Sequence, residues 1–199
     1  MLKQMQFGLA VAAMVAASGC AVNGGWMGAE AEKTYDKELE TKRLAEVLNN
    51  DDYYEIHRDG RIYVLSDAKA YTTFLSTGEI PLVVTRIGAG PKGETLRLAL
   101  TKNDAKAMEK IVGYKGAAQK MYEGALDGLT KGFFGVVQQE DGTYYVFDNW
   151  NALRAFRETG SAAGYNEATE PGGGRVVYVN AAAKPAEAAA RFSSLFPKS

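Results

Sequence analysis

YEIHRDGRIYVLSDAKAYTTFLSTGE, residues Tyr54–Glu79, aligns without gaps with VVQQEDGTYYVFDNWNALRAFRETGS, residues Val136–Ser161. The offset between the two stretches is 82 residues. Most identities fall where turns, packed side chains and helix ends restrict the choice of residue most: Asp59-Gly60 with Asp141-Gly142, Tyr63-Val64 with Tyr145-Val146, Ala70 with Ala152, Phe74 with Phe156, and Thr77-Gly78 with Thr159-Gly160. The sequence therefore predicts a duplicated structural unit.

Each copy begins with a pattern that is typical of a β-hairpin followed by a helix. Asp-Gly between two runs of β-branched and aromatic residues predicts a two-residue turn with positive φ angles. Ser66-Asp67 and Asp148-Asn149 are predicted to cap the helix that follows, and Gly78 and Gly160 to end it in the left-handed conformation. The strands after the turns are Arg61–Leu65 and Thr143–Phe147, and the helix residues that face the sheet are Phe74 and Phe156.

A second hairpin and a closing helix complete each copy. Its predicted strands are Leu82–Ile87 and Thr95–Thr101 in the first copy, and Tyr165–Ala168 and Arg175–Asn180 in the second. The closing helices are predicted within Asp104–Leu129, where several glycines favour a break, and over Pro185–Phe196. We therefore predict an α+β fold: a tandem duplication of a hairpin–helix–hairpin–helix unit, with a mainly antiparallel sheet and helices packed on it.

The two copies divide the chain into residues 31–129 and residues 130–199. The first part also contains a predicted helix over Thr34–Asn49, where Leu39, Leu44, Val47 and Leu48 form an apolar stripe. Because a unit of about 60 residues is only marginally stable alone, we expect the two copies to pack against each other.

The stretch from Gly60 through Tyr63-Val64 and Ser66 to Phe74 is similar to the hairpin–helix of YHS-type domains. The similarity covers about 15 residues of each copy. YHS-type domains bind metal through cysteines, which this part of the chain lacks. The resemblance therefore implies a shared structural solution without the metal function.

The amino terminus has the pattern of a secretory signal peptide. Lys3 precedes the apolar run Phe7–Ala17, and small residues follow up to Gly19. The run is too short to cross a bilayer comfortably, because spanning takes about 20 apolar residues. Residues 1–19 are therefore predicted to be a cleaved leader.

The last residues of this leader add a second signal. Ala17-Ser18-Gly19-Cys20 resembles the lipobox of bacterial lipoproteins, although that family usually has a branched apolar residue in place of Ala17. The resemblance implies a diacylglycerol on Cys20, followed by a tether over residues 20–30. Because Ala21 and not Asp follows the cysteine, it also implies anchoring at the outer membrane, facing the periplasm.

The composition excludes several classes of protein. Cys20 is the only cysteine, so the mature chain has no intramolecular disulfide and no thiolate metal site. The residues after Gly19 contain 22 Lys and Arg against 24 Asp and Glu. Such a nearly balanced charge does not predict a nucleic-acid partner, which normally requires a clustered basic face.

The sequence offers no recognisable catalytic set, and no cofactor or metal is expected. The glycine-rich loop Gly88–Thr95 lacks the lysine of a phosphate-binding P-loop, since Glu94 stands in its place, and we interpret it as a hairpin loop. His57 is the only histidine, and its nearest acid along the strand face is Asp59, which favours a surface contact.

Aromatic residues are the remaining candidates for a binding surface. If one face of the sheet is open, outward tyrosines could recognise a glycan, a peptide or a partner protein, and otherwise they pack under helices. The candidates are Tyr54, Tyr63, Tyr144, Tyr145 and Trp150.

These observations together predict a membrane-anchored cell-envelope lipoprotein with a non-catalytic binding or structural role. Its expected partners are the membrane, through the lipid on Cys20, and an envelope protein or a cell-wall glycan. The alternative is a periplasmic hydrolase that uses carboxylates, with Asp59 or Asp141 as candidates.

Overall fold

The computed structural model describes residues 52–128, 132–167, 174–180 and 183–196. The predicted signal peptide, Cys20, the tether and the predicted helix Thr34–Asn49 lie outside the described residues. The strands are β1 (Asp52–Arg58), β2 (Arg61–Leu65), β3 (Val83–Arg86), β4 (Thr95–Ala99), β5 (Phe134–Gln138), β6 (Tyr144–Phe147), β7 (Gly164–Glu167) and β8 (Val176–Val179). The helices are α1 (Ala68–Thr77), α2 (Lys102–Lys110), α3 (Ala117–Tyr122), α4 (Trp150–Thr159) and α5 (Ala186–Ser194).

The strands form one sheet in the order β3-β4-β2-β1-β5-β6-β8-β7. Each of the predicted hairpins is an antiparallel pair, and the parallel pairs β2–β4, β1–β5 and β6–β8 join the hairpins to one another. The predicted α+β fold, with a mainly antiparallel sheet and helices packed on it, is confirmed. The β1–β5 pair connects the two repeats, which therefore share one sheet.

The sequence signals at the ends of α1 and α4 form the predicted caps. The side chains of Asp67 and Asn149 accept hydrogen bonds from the backbone N–H three residues later, at 2.8 and 3.1 Å. Gly78 and Gly160 end the two helices with φ angles of 74° and 67°. Glycine adopts this left-handed conformation with the least strain, so the position of each glycine determines where its helix stops.

The two hairpin turns differ, although both contain Asp-Gly. Asp59-Gly60 forms the predicted two-residue turn, with φ angles of 53° and 66°. In the second hairpin, Gln139 N donates to the Thr143 carbonyl at 2.9 Å, so three residues form the turn. Gly142, and not Asp141, has a positive φ angle, and the two-residue prediction is wrong here. The reason is that the Asp141 carboxylate accepts a hydrogen bond from Thr143 N at 2.9 Å and stabilises the longer turn.

The longer turn shifts the register of β5 by one residue. Tyr54 pairs with Leu65, whereas Val136, its counterpart in the gap-free alignment, pairs with Val146 and not with Phe147. A shift of one residue exchanges the two faces of a strand. The two repeats accordingly place their equivalent helices, α1 and α4, on opposite faces of the sheet.

Each face of the sheet is covered by helices from both repeats. Helices α1 and α5 pack on the face that carries Tyr54 and Ile56, while α3 and α4 pack on the face that carries Tyr53 and Val137. The strand order is symmetric about the β1–β5 pair, with β1, β2, β4 and β3 following one another on one side and β5, β6, β8 and β7 on the other. Because side chains are buried on both faces, the sheet itself is the centre of the core.

The region predicted as a helix within Asp104–Leu129 is divided into α2 and α3, as its glycines predict. Gly113 in the intervening loop has a φ angle of 76°. The loop is tied to α2 because the hydroxyl of Tyr114 donates a hydrogen bond to the buried Asp104 carboxylate at 3.0 Å. Helix α2 thus ends early, and α3 is free to turn back onto β2 and β4.

Candidate binding site

The predicted aromatic binding surface is not formed, because its members are packed inside the protein. Tyr54, Tyr63, Tyr144 and Trp150 are 1, 7, 5 and 6% exposed, and Tyr145 is half-buried. The expectation that these residues point outward is wrong. It required an open face of the sheet, whereas helices cover both faces and bury successive strand residues on either side.

Each of these aromatic side chains contacts another ring, and Trp150 also binds an exposed carboxylate. Such contacts between rings at 4.5–7 Å stabilise packing beyond the area that they bury. The ring pairs are Tyr54 with Tyr71 at 4.4 Å, Tyr63 with Phe74 at 4.7 Å, Tyr144 with Phe192 at 5.3 Å and Tyr145 with Phe156 at 4.5 Å, and Trp150 Nε1 donates to Asp127 Oδ1 at 3.0 Å.

The carboxylates of the alternative hypothesis, Asp59 and Asp141, lie in neighbouring turns. Because β1 and β5 are parallel neighbours, their hairpin turns meet at one end of the sheet, where Gly60 N donates to Glu140 Oε1 at 3.3 Å. Both aspartates are exposed, and neither lines the two cavities described below. Their position does not favour the hydrolase alternative.

The single histidine contacts a carboxylate that the sequence analysis missed. His57 Nε2 lies 2.6 Å from Glu55 Oε1 on the same face of β1. The expected contact with Asp59 is wrong, because the turn begins at that residue and carries its side chain off the strand face. Asp59 instead lies 3.8 Å from Arg58 Nε.

Glu55 is the centre of a buried charged network that spans the two repeats. Its side chain is 5% exposed, and it accepts a hydrogen bond from the Tyr53 hydroxyl. Arg157 of α4 places Nε 3.0 Å from Glu55 Oε2 and donates from Nη1 to the Tyr122 carbonyl at 3.0 Å. The network therefore links β1 and α3 of the first repeat to α4 of the second.

The environment of Glu55 keeps it charged although it is buried. Burial acts to raise the pKa of the carboxyl, but the hydrogen bond with His57 and the charge of Arg157 outweigh burial and hold this pKa below its usual value. Burial, and then the neighbouring carboxylate, raise the pKa of the Tyr53 hydroxyl, which stays a hydrogen-bond donor. The network is suited to holding the repeats together and not to contacting a substrate.

The lowered pKa of Glu55 predicts that the fold loses stability as the pH becomes acidic. A carboxyl with a lower pKa in the folded than in the unfolded chain stabilises the fold above its unfolded pKa, and this contribution disappears as the pH falls through the folded value. Glu55→Gln should therefore lose less stability than the native chain between about pH 5 and about pH 3 in urea unfolding. Glu94 and Glu123, whose pKa values are also lowered, are present in both proteins. If the two proteins lose the same stability between these pH values, Glu55 is not the origin of the acid dependence.

An apolar cavity of about 350 Å³ opens at the carboxyl ends of β2 and β4. We call it the Ile80 pocket, and its apolar wall consists of Ile80, Pro81, Leu82, Ala99 and Leu100. Ile80 is nearly buried at its base, whereas Leu82 is 39% exposed at its mouth. A mostly apolar concave surface of this size, with few polar groups, is typical of a binding site.

The rim of the Ile80 pocket is basic. Lys69 and Lys102 line it and are exposed, and neither forms an ion pair within the described residues. The nearby carboxylates are engaged in helix caps: Asp67 caps α1, and Asp104 forms a capping box with Thr101. An acidic group on a bound molecule would therefore be attracted to this rim.

The corresponding place in the second repeat is built differently. Ala162-Ala163-Gly164 stands where the first repeat has Ile80-Pro81-Leu82. A Cβ atom on Gly164 would lie 2.1 Å from the Tyr178 carbonyl oxygen, so β7 approaches the β8 backbone too closely for a side chain. The apolar lining is thus a property of the first repeat alone, and not of the duplicated unit.

A second cavity, also of about 350 Å³, lies near the start of β5 and the first turn of α5. It contains the charged residues Asp148, Glu187 and Arg191 beside Phe134. Arg191 Nη2 lies 2.5 Å from Asp52 Oδ1, and its guanidinium stands 4.5 Å above the Phe134 ring. This cavity is polar and its arginine is already engaged, so it is a weaker candidate for an apolar ligand.

Both features that the sequence analysis missed had a signal in the sequence. Glu55 alternates with Tyr53 and His57 on one strand face, where a charge between aromatic residues indicates a buried partner. The Ile80 pocket corresponds to a place where the two copies differ in side-chain size, just after Gly78 and Gly160, since Ile80-Pro81-Leu82 faces Ala162-Ala163-Gly164. A comparison of the differences between the copies, and not only of their identities, would have found it.

The fold and the pocket define an α+β protein with an eight-stranded mixed sheet and an apolar surface cavity. Within the described ranges, no group of three or more His, Cys, Asp or Glu residues could hold a metal ion. In that same part of the chain, no helix has the length and apolar character needed to cross a bilayer. Comparisons with protein-family models, with curated proteins and with solved structures gave no match.

Proposed function

We propose that this protein is a membrane-anchored cell-envelope lipoprotein that binds a partner and does not catalyse a reaction. The anchor is the lipid on Cys20, and the body faces the periplasm from the outer membrane. The partner is an apolar segment of another envelope protein, because the exposed surface that lines the Ile80 pocket is mostly apolar, although polar side chains are present among the lining residues.

The observation that supports binding is the contrast between the Ile80 pocket and the Glu55 network. The pocket is open, apolar and surrounded by lysines without an ion-pair partner among the described residues. The Glu55 network has the residue types of a catalytic site, but its carboxylate is sealed and satisfied by Tyr53, His57 and Arg157. The accessible site is therefore suited to recognition.

The observation that supports the anchor is the leader sequence. The apolar run and the small residues before Cys20 match an export signal, and the single cysteine stands where the lipobox has its lipidated residue. Two or three acyl chains hold a protein stably on a bilayer, whereas a single chain does not.

A photoreactive benzophenone amino acid at Leu82, in intact cells, tests this function. We expect a discrete adduct with an envelope protein, at least tenfold stronger than from the same amino acid at Ile87. Ile87 is the matched control because it is 88% exposed and follows the same strand but lies outside the pocket. No adduct at Leu82, or the same adducts at both positions, would refute partner binding.

In the same cells Cys20→Ala should move the protein from the membrane fraction to the soluble fraction, and continued pelleting would refute the anchor.

A further inference from the structure

Three arginines lie next to one another on the sheet face on which α1 packs. Arg58 and Arg61 pair directly across β1 and β2, and Arg97 lies on β4, where it pairs with Tyr63. Alternate residues of a strand share a face, so Arg61 and Tyr63 lie on the same side of the sheet. Facing residues are about 5 Å apart and diagonal ones about 7–8 Å, within reach of long side chains. We call Arg58, Arg61 and Arg97 the arginine cluster.

The fold gains little from placing these three charges together. Like charges directly opposite one another on neighbouring strands destabilise a sheet. Among the described residues, the cluster forms one ion pair, between Arg58 Nε and Asp59 Oδ2 at 3.8 Å. Both of these side chains are exposed, and such surface pairs contribute little to stability. In that part of the chain, no other carboxylate pairs with the cluster, so its charges are available to a bound anion.

Arg97 contains a buried donor without an acceptor. Its Nε is buried and forms no hydrogen bond with the described residues, although the side chain as a whole is partly exposed. An unpaired buried donor is costly, and such a group in a folded protein requires an explanation, of which a bound ion is one. An anion at the exposed side of Arg97 would satisfy both this donor and the charge of the guanidinium.

The other two arginines also have donors to offer. The guanidinium of Arg58 stands 5.2 Å from the centre of the Phe74 ring and 5.9 Å from that of Tyr63. A guanidinium that stacks on aromatic rings keeps the N–H groups at its edge available for an anion. Arg61 is exposed, and it has no ion-pair partner in the described ranges.

The second repeat lacks this cluster, so the duplicated fold does not require it. At the offset of 82 residues, Glu140 and Thr143 stand in place of the first two arginines. Val177, the partner of Tyr145 on β8, stands in place of the third. The three cations are therefore a property of the first repeat alone.

We propose that the arginine cluster binds the phosphoryl group of a phosphate monoester. A carboxylate carries one charge and pairs with one guanidinium through two parallel bonds, whereas a phosphoryl group carries nearly two charges on three acceptor oxygens and suits several. Thr85 and Thr95, which pair with Arg97 and Arg61 on the same face, add hydroxyl donors. Binding draws Arg97 outward, so that its Nε donates to the anion.

This site is independent of the proposed function. The Ile80 pocket lies beyond the carboxyl ends of β2 and β4, whereas Arg61 and Thr95 lie at the start of these strands. Neither the lipid on Cys20 nor a protein partner takes part in phosphate binding. The site can therefore be tested on the purified chain alone, and its failure is separate from failure of the crosslinking in cells.

Isothermal titration calorimetry of the purified full chain with glycerol 3-phosphate, at constant ionic strength, tests the site. We expect binding that Arg97→Gln and Arg61→Gln each weaken at least tenfold, because each removes one charged donor. Arg154→Gln is the matched control: Arg154 is 51% exposed on α4, outside the cluster, and its loss should leave the affinity unchanged. No binding by the native chain, or an equal weakening in the control, would overturn the proposal.

Urea unfolding of Arg97→Met separates a binding role from a structural one. The substitution removes the unpaired buried donor, so without phosphate its unfolding midpoint should equal or exceed that of the native chain. Glycerol 3-phosphate should raise the midpoint of the native chain and not that of the variant, because only the native chain binds it. A lower midpoint of Arg97→Met without phosphate would show that Arg97 holds the fold, and would overturn its assignment to a ligand.

The same titration with dihexanoyl phosphatidic acid distinguishes two sources of the phosphate. This lipid carries the phosphate monoester of glycerol 3-phosphate, and its short acyl chains keep it soluble. Binding at least tenfold tighter than that of glycerol 3-phosphate, and lost in Arg97→Gln, would identify a lipid headgroup, whereas equal binding would identify a soluble phosphate ester. If native chain and Arg97→Gln bind both compounds equally well, the arginine cluster is not the site.

Discussion

Replacing Arg157 with Met is expected to lower the free energy of unfolding by about 3 kcal/mol, because it leaves the Glu55 carboxylate buried without its cationic partner. Breaking a buried ion pair by removing one member costs about 3–5 kcal/mol. The lower end applies here because His57 and the Tyr53 hydroxyl still contact the carboxylate. The substitution also removes the hydrogen bond that Arg157 donates to the Tyr122 carbonyl, and this loss adds to the destabilisation. Urea unfolding at pH 7, followed by circular dichroism, measures the change.

The double variant Glu55→Gln with Arg157→Met is the control for this explanation. A neutral amide at position 55 does not require a cation, so the double variant should be more stable than Arg157→Met alone by about 1–2 kcal/mol. If both variants are equally unstable, the effect comes from lost packing of the arginine stem and not from the charge. That result would mean that the charge pairing of Glu55 with Arg157 does not hold the two repeats together.

Local rules were sufficient to predict the helices of the duplicated unit. A cap such as Asp67 and a stop such as Gly78 act within three or four residues of their own position, so the sequence nearby contains the whole cause. The break between α2 and α3 falls in the glycine-containing stretch that the sequence indicated: α2 ends before the extended residue Ile111, and Gly113 has a φ angle of 76° in the loop that follows. The second copy has a cap and a terminal glycine at the positions equivalent to those of the first, so each predicted helix was supported by its counterpart.

The candidate site could not be predicted in the same way, because its causes are distant in sequence. Glu55 forms its buried ion pair with Arg157, which lies in the other repeat, so the residues around Glu55 indicate a buried partner but do not identify it. The tyrosines are buried because equivalent helices lie on opposite faces, and this follows from one extra residue in the turn at Asp141. An alignment without gaps hides that residue, since both copies have the same length.

Phe74→Ala and Phe156→Ala should each lower the free energy of unfolding by about 3–5 kcal/mol, the usual cost of deleting a buried phenylalanine ring. The two residues occupy equivalent places in the repeats and are 2 and 4% exposed. Phe74 packs on Tyr63 at 4.7 Å, whereas Phe156 packs on Tyr145 at 4.5 Å and on Phe147 at 5.5 Å, so Phe74→Ala removes one ring pair and Phe156→Ala removes two from the opposite face of the sheet. Urea unfolding of the two single variants gives the comparison.

The same pair of variants shows whether the shared sheet makes the repeats unfold as one unit. Trp26 is the other tryptophan, so Trp26→Phe leaves fluorescence from Trp150 alone. Trp150 lies on α4 of the second repeat and its ring also contacts Tyr53 of the first repeat at 5.9 Å, so it reports on the second repeat and on the boundary between the two. In that background Phe74→Ala, which alters only the first repeat, should move the Trp150 transition to lower urea as far as Phe156→Ala does. The reason is that β1 and β5 pair directly and Arg157 joins Glu55 across the boundary, so neither half keeps its core when the other is lost. An unchanged Trp150 transition in Phe74→Ala would mean that the repeats are stable separately, in spite of the strand pairing that connects them.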